Sequence, residues 1–126
     1  MRIQHVGLCC PSEDDADRFF VALLGLEKSE RKTIPASLAR PLFGLDEEIA
    51  LCSYAGAGAL FEVFFRDAPR EAAGRIAHAC LEVADAGALL ERARALGFAI
   101  TRAPKGERFV TFLDDACGNR FEIKEA

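Results

Sequence analysis

The sequence has no tryptophan, one methionine, one tyrosine and two histidines, although hydrophobic residues make up 51% of its 126 positions. It also has no apolar stretch of the roughly 18 residues that a membrane-spanning helix needs, and no leader-like segment precedes the first strand pattern. We therefore expect a cytoplasmic protein without a membrane partner. The apolar share and the length are sufficient for one domain, residues 1–126, with a buried core.

An uninterrupted run of basic residues is also missing. The 16 basic and 20 acidic residues give a formal charge of −4, and a chain that tracks phosphates usually carries clustered lysine and arginine. Nucleic acid is therefore not expected as a partner. None of the five cysteines has Cys-X-X-Cys spacing, so a zinc knuckle is not indicated.

An internal repeat organises the chain. Residues 3–9 have a strand pattern, and Ser12 follows as the N-cap of a helix. Gly25 supplies a permissive end to that helix. The apolar residues of the helix recur at the spacing of a single stripe: Ala16, Phe19, Phe20, Leu23 and Leu24.

The same order returns in the second half. Residues 75–83 have a strand pattern, Asp85 is the next N-cap, and Gly97 ends the helix. The second apolar stripe consists of Ala86, Leu89, Leu90, Ala93 and Leu96. His5 precedes Ser12 by seven positions, and His78 precedes Asp85 by the same seven. The duplication of both histidines in register indicates a duplicated module.

Three strand patterns follow each helix, at about 26–34, 48–55 and 59–66, and then at 98–103, 107–113 and 119–124. The last strand of each set carries a Phe-Glu-aliphatic segment, centred on Glu62 and on Glu122. The predicted fold is therefore α+β, with two βαβββ modules in tandem. Their predicted bounds are 1–66 and 75–126, joined by a linker at 67–74.

The first module is longer than the second by 13 residues between its histidine and its glutamate. Nearly all of the surplus lies at residues 35–47, which are rich in proline, alanine and leucine. We interpret this segment as a loop over a binding site.

His5, Glu62, His78 and Glu122 form the candidate metal site. Each glutamate stands between strand residues that should face the core, and a carboxylate in such a place is costly unless a cation compensates its desolvation. Two imidazoles and two carboxylates suit one divalent ion, namely zinc, nickel, cobalt, manganese or Fe(II), and leave coordination positions for a substrate. A simple polar pair is the usual role of a lone histidine and glutamate on strands, but the duplication favours the metal site.

Other polar residues are weaker candidates. Cys9 and Cys80 share the faces of the two histidines, and small cleft or core residues are the simpler interpretation of both. Arg40, Arg120 and Lys124 could meet an anionic substrate, although solvated charge is more common. The acidic residues within 13–17 and those at 46–48 are interpreted as solvated charges and helix-start charges.

The chain resembles the vicinal oxygen chelate superfamily, the group of glyoxalases, bleomycin-resistance proteins and dioxygenases, over essentially its whole length. The segments that carry the resemblance are 3–8 (Ile-Gln-His-Val-Gly-Leu), 24–26 (Leu-Gly-Leu), 76–79 (Ile-Ala-His-Ala), 97–98 (Gly-Phe) and 115–122 (Asp-Ala-Cys-Gly-Asn-Arg-Phe-Glu). Relatives usually have Pro-Asp where this chain has Ala116 and Cys117.

The resemblance implies a curled mixed sheet around a cleft, with helices packed on its outer face and the metal between the first and last strands of the modules. It also implies a homodimer, whose ligands come from one chain or from two. The ligand set is most similar to that of glyoxalase I, because the epimerases of this superfamily commonly carry glutamine where this chain has Glu62.

The implied activity is a metal-dependent, glyoxalase-like lyase or isomerase that acts on a small carbonyl compound through a metal-bound enediolate. Glu122 would be the principal catalytic base and Glu62 its counterpart on the opposite face. Glyoxalase I has an arginine soon after its first ligand for the glutathione carboxylate, whereas residues 7–10 here are Gly-Leu-Cys-Cys. Two alternatives stay open, a small-molecule binding protein of the bleomycin-resistance type and an extradiol-type dioxygenase.

Overall fold

Both halves of the chain have the predicted order of strand, helix and further strands in the computed structural model, which describes residues 1–67 and 76–126. The chain divides into two units, Met1–Ala68 and Pro69–Ala126. The predicted linker at 67–74 lies, apart from Asp67, outside the described residues. The module bounds and the single-domain arrangement therefore stay predictions.

The first unit contains β1 (Val6–Cys10), α1 (Glu13–Ala16), β2 (Glu27–Lys28), β3 (Lys32–Ile34), α2 (Ala36–Phe43), β4 (Ile49–Gly56) and β5 (Ala59–Phe65). A π-helical segment (Asp17–Leu23) continues α1. The sheet order is β1-β5-β4-β2, with β3 also paired to β4. β1 runs parallel to β5, and the other pairs are antiparallel.

The second unit contains β6 (Ala79–Val83), α3 (Ala86–Ala95), β7 (Ala99–Lys105), β8 (Arg108–Asp114) and β9 (Arg120–Glu125). Its sheet order is β6-β9-β8-β7, with β6 parallel to β9 and the remaining pairs antiparallel. The α+β class and the two βαβββ modules are thus confirmed. Within the described ranges, no helix combines the length and the apolar character needed to cross a bilayer.

The helix ends follow the predicted signals. The Ser12 side chain accepts a hydrogen bond from the backbone N–H of Asp15, and the Asp85 side chain accepts one from Ala88. Each cap satisfies a donor that the first helical turn leaves without an intrahelical partner. Gly25 and Gly97 have φ angles of +70° and +81°, the left-handed conformation that ends a helix with little strain only at glycine.

Aromatic side chains between the first helix and the sheet form the core of the first unit. The Phe20 ring lies 5.1 Å from the Tyr54 ring and 5.2 Å from the Phe61 ring, and Phe19 meets Phe20 edge-on at 5.1 Å. The buried Tyr54 hydroxyl donates to Asp17 at 2.7 Å. Burial, and then this hydrogen bond, raise the pKa of Tyr54. The helix therefore covers the sheet face that carries Tyr54 and Phe61.

Three local predictions were wrong. The strand expected at 26–34 is two short strands, β2 and β3, which both pair with β4. The loop expected at 35–47 contains the helix α2, which begins after Pro35 and ends at Gly44 in the left-handed conformation. Pro41 inside this helix lacks the N–H that would bond to the preceding turn, and a helix is therefore a poor expectation from sequence.

Glu13 and Asp17 are not free solvated charges, because they form ion pairs with Lys28.

The ion pairs of Glu13 give a pH-dependent contribution to stability. Lys28 Nζ lies 2.6 Å from Glu13 Oε1, and Arg31 Nη1 lies 2.6 Å from Glu13 Oε2. The hydrogen bond from Lys28, and then that from Arg31, lower the pKa of Glu13 below its ordinary value of 4.5. A carboxyl group whose pKa is lowered by folding stabilises the fold above its unfolded pKa, and that stabilisation is lost as the pH falls through the folded value.

Glu13→Gln is expected to lower the free energy of unfolding by about 1 kcal/mol at pH 7, the upper range for partly exposed ion pairs. The difference between the variant and the wild type should shrink as the pH falls below 4.5. Urea unfolding at pH 7 and at pH 3.5 measures both values. Asp14→Asn, an exposed carboxylate in the same first turn, is the matched control. An equal loss in both variants, or a difference that does not depend on pH, would contradict the ion-pair interpretation.

Candidate functional site

In the first unit, His5 and Glu62 are brought together by the pairing of β1 with β5. Nε2 of His5 lies 3.3 Å from Oε2 of Glu62, and their side chains are 41% and 32% exposed. The strand was predicted at residues 3–9, but β1 begins at Val6, so His5 is the residue immediately before the strand. Phe61 and Val63, on either side of Glu62, are buried. Because strand neighbours point to opposite faces, Glu62 lies on the face away from α1.

In the second unit, His78 and Glu122 form the corresponding pair. Nε2 of His78 lies 3.6 Å from Oε2 of Glu122, and the side chains are 31% and 19% exposed. His78 is also the residue immediately before its strand, β6. Phe121 and Ile123, on either side of Glu122, are buried. Glu122 is therefore the less exposed of the two glutamates.

The strand register is the same in the two units. Gly7 is paired with Glu62, and Cys80 is paired with Glu122. Each histidine stands two residues before the partner of its glutamate, and residues two apart on a strand share a face. Each unit thus repeats one arrangement, a histidine and a glutamate on the sheet face opposite the first helix of that unit.

The His78 ring is held in one tautomer. Its Nδ1 lies 2.6 Å from the carbonyl oxygen of Ile76, and in a neutral ring this contact requires the proton on Nδ1. The Phe112 ring meets the imidazole edge-on at 5.0 Å. A hydrogen bond from one ring nitrogen to a carbonyl leaves the other nitrogen as the lone-pair donor. Nε2, the nitrogen that faces Glu122, is therefore the one that can bind a cation.

The distances within the two pairs fit shared coordination better than direct hydrogen bonding. A charged N–H···O bond between imidazolium and carboxylate is about 2.7–2.9 Å long, whereas the separations here are 3.3 and 3.6 Å. Two ligand atoms each about 2.1 Å from one ion, at an angle of roughly 90–110°, are about 3.0–3.4 Å apart. The His5–Glu62 separation lies within this range, and the His78–Glu122 separation is slightly longer. The neutral imidazole nitrogen and the carboxylate oxygen are both lone-pair donors, so a cation between them relieves their repulsion. The chemistry of the donor set therefore fits a first-row divalent ion.

The structure brings the four predicted ligands together as two pairs. Across residues 1–67 and 76–126, no group of three or more histidine, cysteine, aspartate or glutamate side chains is arranged to hold a metal ion. The four-ligand site therefore stays a prediction. Neither Cys9 nor Cys80 forms a disulfide.

The predicted anion-binding residues all have carboxylate neighbours. Arg120 Nε donates to Asp114 Oδ1 at 2.9 Å, and its guanidinium lies 5.0 Å from the centre of the Phe112 ring. Lys124 Nζ lies 3.5 Å from Glu122 Oε1. Arg40 forms an ion pair with Asp46. Carboxylates therefore offset the charge of each of these cations, which weakens the case for recognition of an anionic group.

A tight turn precedes β9, the strand that carries Glu122. The buried Asp115 carboxylate accepts hydrogen bonds from the backbone N–H groups of Cys117 and Asn119, at 2.9 and 2.8 Å, and from the Asn119 side-chain amide at 2.7 Å. Burial raises the pKa of Asp115, and these donors offset part of that effect. The Asp-Ala-Cys-Gly-Asn segment thus closes as an Asx-type turn.

Helix α2 adds apolar residues that the sequence analysis did not assign to the site. The Phe43 ring meets the Phe64 ring at 5.5 Å in an edge-on contact, and Phe64 is two residues from Glu62 on the same strand. A Cβ atom added to Gly7 would lie 3.6 Å from the Phe64 ring. α2 therefore meets the sheet on the face of the His5–Glu62 pair. The bounding Pro35 and Gly44 are signals that could have indicated this helix.

Solved structures of similar fold extend over nearly the whole chain. A glyoxalase family protein from Enterococcus faecalis is 15% identical, with a TM-score of 0.72 over 97% of this chain and 95% of the other. The trypanothione-dependent glyoxalase I of Leishmania major is 16% identical, with a TM-score of 0.69 over 99% and 86%. The fosfomycin resistance protein FosX of Listeria monocytogenes, in complex with Mn(II) and sulfate, is 16% identical, with a TM-score of 0.71 over 99% and 92%.

At these identities, the structural matches show a shared fold. A search among curated protein sequences finds no match. The family model described as Glyoxalase/Bleomycin resistance protein/Dioxygenase superfamily matches residues 2–123, and the chain belongs to that superfamily.

Proposed function

We propose that this protein is a metal-dependent, glyoxalase-like lyase or isomerase that acts on a small carbonyl compound. His5, Glu62, His78 and Glu122 would hold one divalent ion, either zinc, nickel, cobalt, manganese or Fe(II). The observation that carries the proposal is the repeated pair, a histidine and a glutamate in the same register on the sheet face opposite the first helix of each unit, with separations of 3.3 and 3.6 Å. The FosX neighbour in complex with Mn(II) supports a divalent ion on this fold.

The chemistry required of such an ion is Lewis acidity toward a carbonyl oxygen of the substrate. The remaining steps belong to the residues of the chain. Oε2 of Glu122 faces His78, and Oε1 lies 3.5 Å from Lys124 Nζ. We assign to the Glu122 carboxylate the removal of the proton from the carbon next to the carbonyl. Glu62, the more exposed carboxylate, would return or remove the proton on the opposite face of the substrate.

A small-molecule binding protein is the second candidate function. The observation that favours it is the set of half-exposed apolar side chains on α2, Leu38, Leu42 and Phe43, which could hold an apolar ligand without chemistry. Turnover separates this candidate from the first. We also propose a homodimer, because members of this superfamily commonly form dimers.

Metal binding followed by turnover tests the proposal. Metal-stripped protein is titrated with zinc, nickel, cobalt, manganese and Fe(II), and elemental analysis is expected to give one ion per chain. The loaded protein is then given hemithioacetals formed from 2-oxoaldehydes and small thiols. Their isomerisation to 2-hydroxyacyl thioesters is followed by thioester absorbance. Failure to bind any of the five ions would overturn the metal-dependent reaction. Binding of an ion without turnover of any adduct would favour the binding protein.

A further inference from the structure

Helix α2 presents apolar side chains that its own unit leaves open. Leu38, Leu42 and Phe43 are 47%, 60% and 49% exposed, whereas Ala39 is fully buried. Ala39 and Phe43 are four residues apart and so lie on one side of the helix. The burial of Ala39 identifies this side as the one that meets the sheet. Leu38 and Leu42 form the adjoining row, so the helix has an open apolar edge next to its sheet-facing side.

This edge is continuous with the His5–Glu62 pair. Phe43 packs against Phe64 at 5.5 Å, and Phe64 follows Glu62 by two residues on β5, a separation of roughly 7 Å along one face. The Phe64 ring also lies over Gly7, 3.6 Å from the place of an added Cβ. We call Leu38, Leu42, Phe43 and Phe64 the apolar wall. It begins at Phe64, two residues along β5 from Glu62, a proposed ligand of the first unit.

The charges next to the wall are neutralised. Arg40, on α2 itself, forms an ion pair with Asp46. Arg66, just beyond Phe64, has its Nη1 atom 3.7 Å from Glu47 Oε1. A carboxylate or phosphate on a ligand would have to compete with these existing partners. The wall is therefore suited to a neutral apolar group rather than to an anionic one.

The size of the wall favours a small molecule over a protein partner. Its three half-exposed side chains on α2 offer on the order of 300 Å² of apolar surface, because an aromatic side chain buries about 150–250 Å² and a leucine somewhat less. A stable protein interface needs about 800 Å² from each partner. A substituent of a substrate held at the metal pair is the occupant of matching size.

We infer that the apolar wall is a specificity site, which selects substrates whose carbonyl group carries a neutral apolar substituent, aliphatic or aromatic. The inference rests on the proposed function, since it needs the carbonyl end of the substrate to be held at the His5–Glu62 pair. It goes beyond that function because it assigns the substrate class and the residues that select it. None of these residues has a role in proton transfer.

Two hydroxamates that differ only in their substituent test the inference by binding. Acetohydroxamate and benzohydroxamate both chelate a divalent ion through two oxygen atoms, and they differ by a methyl against a phenyl group. Isothermal titration of zinc-loaded protein is expected to give roughly tenfold tighter binding of benzohydroxamate, the ratio that follows when about half of the ring is buried. The affinities of both hydroxamates for free zinc are measured in parallel. They correct for any preference that the ion itself has between the two ligands.

Substitutions in the wall should remove the preference without weakening the chelation. Phe43→Ala is expected to reduce the ratio between the two hydroxamates to about two- to threefold, with little change in the affinity for acetohydroxamate. Leu42→Ser, at the more exposed position, gives a second variant if Phe43→Ala does not fold. Val21→Ser is the matched control, since Val21 is 39% exposed on the helix that covers the opposite face of the sheet.

The outcomes separate this inference from the proposed function. If neither hydroxamate binds to the zinc-loaded protein, the metal-dependent function has failed and the inference falls with it. If both bind with equal affinity, or if Val21→Ser changes the ratio as much as Phe43→Ala does, the wall is not a specificity site although the metal proposal stands. A change in oligomeric state in Leu42→Ser, measured by light scattering, would assign the wall to contact between copies of the chain and would overturn the inference.

Discussion

Glu122→Gln is expected to lower the turnover number of the metal-loaded protein by about 10²- to 10⁴-fold, the usual contribution of a positioned general base. The amide oxygen of glutamine still has a lone pair for an ion, but it cannot take a proton from carbon. Glu122 is suited to this role because its side chain is only 19% exposed and its Oε2 faces the histidine. The measurement is kcat for hemithioacetal isomerisation at saturating zinc, with bound zinc determined on the same sample.

Glu82→Gln is the control for this prediction. Glu82 is an exposed carboxylate on the neighbouring strand β6, opposite Lys124 in the register. Its loss changes the charge of the same sheet without touching the pair, so turnover should be unaffected. Glu62→Gln gives the comparison between the two proposed bases. A larger loss in Glu62→Gln than in Glu122→Gln would exchange their roles, and full activity in both variants would exclude a glutamate base.

His78→Ala is expected to weaken zinc binding by more than about 100-fold, because the loss of a residue that merely supports a ligand already costs 10- to 100-fold. The Nδ1 contact with the Ile76 carbonyl fixes the ring so that Nε2 faces Glu122, and alanine supplies no replacement donor. The dissociation constant is measured by competition with a chromophoric chelator. Circular dichroism of the variant establishes that the fold is retained.

Cys80→Ala is the matched control for the ligand assignment. Cys80 is an exposed free thiol on β6 and the direct partner of Glu122 in the register, so it is the alternative thiolate donor on that strand. Zinc affinity is expected to be unchanged in this variant. A loss as large as that of His78→Ala would mean that a thiolate, not the imidazole, is the ligand of the second unit.

A mixture of two histidine variants distinguishes metal sites formed within one chain from sites shared between chains. His5→Ala and His78→Ala are denatured together and refolded as mixed dimers. If each site uses both units of one chain, every site lacks one ligand and tight binding stays absent. If each site takes one unit from each chain, roughly one site in four regains all four ligands in a two-fold symmetric dimer. The number of zinc ions bound per chain at low free zinc distinguishes the two arrangements.

Sequence determined the local structure because its signals act over a few residues. Ser12 and Asp85 cap their helices, and Gly25 and Gly97 end them with the positive φ that glycine adopts at little cost. The strand patterns of the second half agree with β7, β8 and β9 to within one or two residues. The first half was less predictable, since Pro41 obscured a helix that the sheet stabilises.

The candidate site was predictable in part for the same reason. Two histidines at the same spacing from their helix caps, and a Phe-Glu strand at the end of each module, predicted all four candidate residues, since duplication makes a pattern visible within one chain. Sequence could not fix the register of β1 on β5 or of β6 on β9, because hydrogen bonding between strands far apart in the chain is set by how their side chains pack. That register places each histidine 3.3 or 3.6 Å from its glutamate.

The sequence by itself thus determined the α+β modules, the ends of the main helices and the identity of the two His-Glu pairs, since each depends on local spacing or on repetition. Tertiary structure decided the separation within each pair, the ion pairs of Glu13, and the contact of Phe43 with Phe64 that extends an apolar surface toward Glu62. These features join residues distant in the chain, and packing between elements, which no local pattern encodes, brings them together.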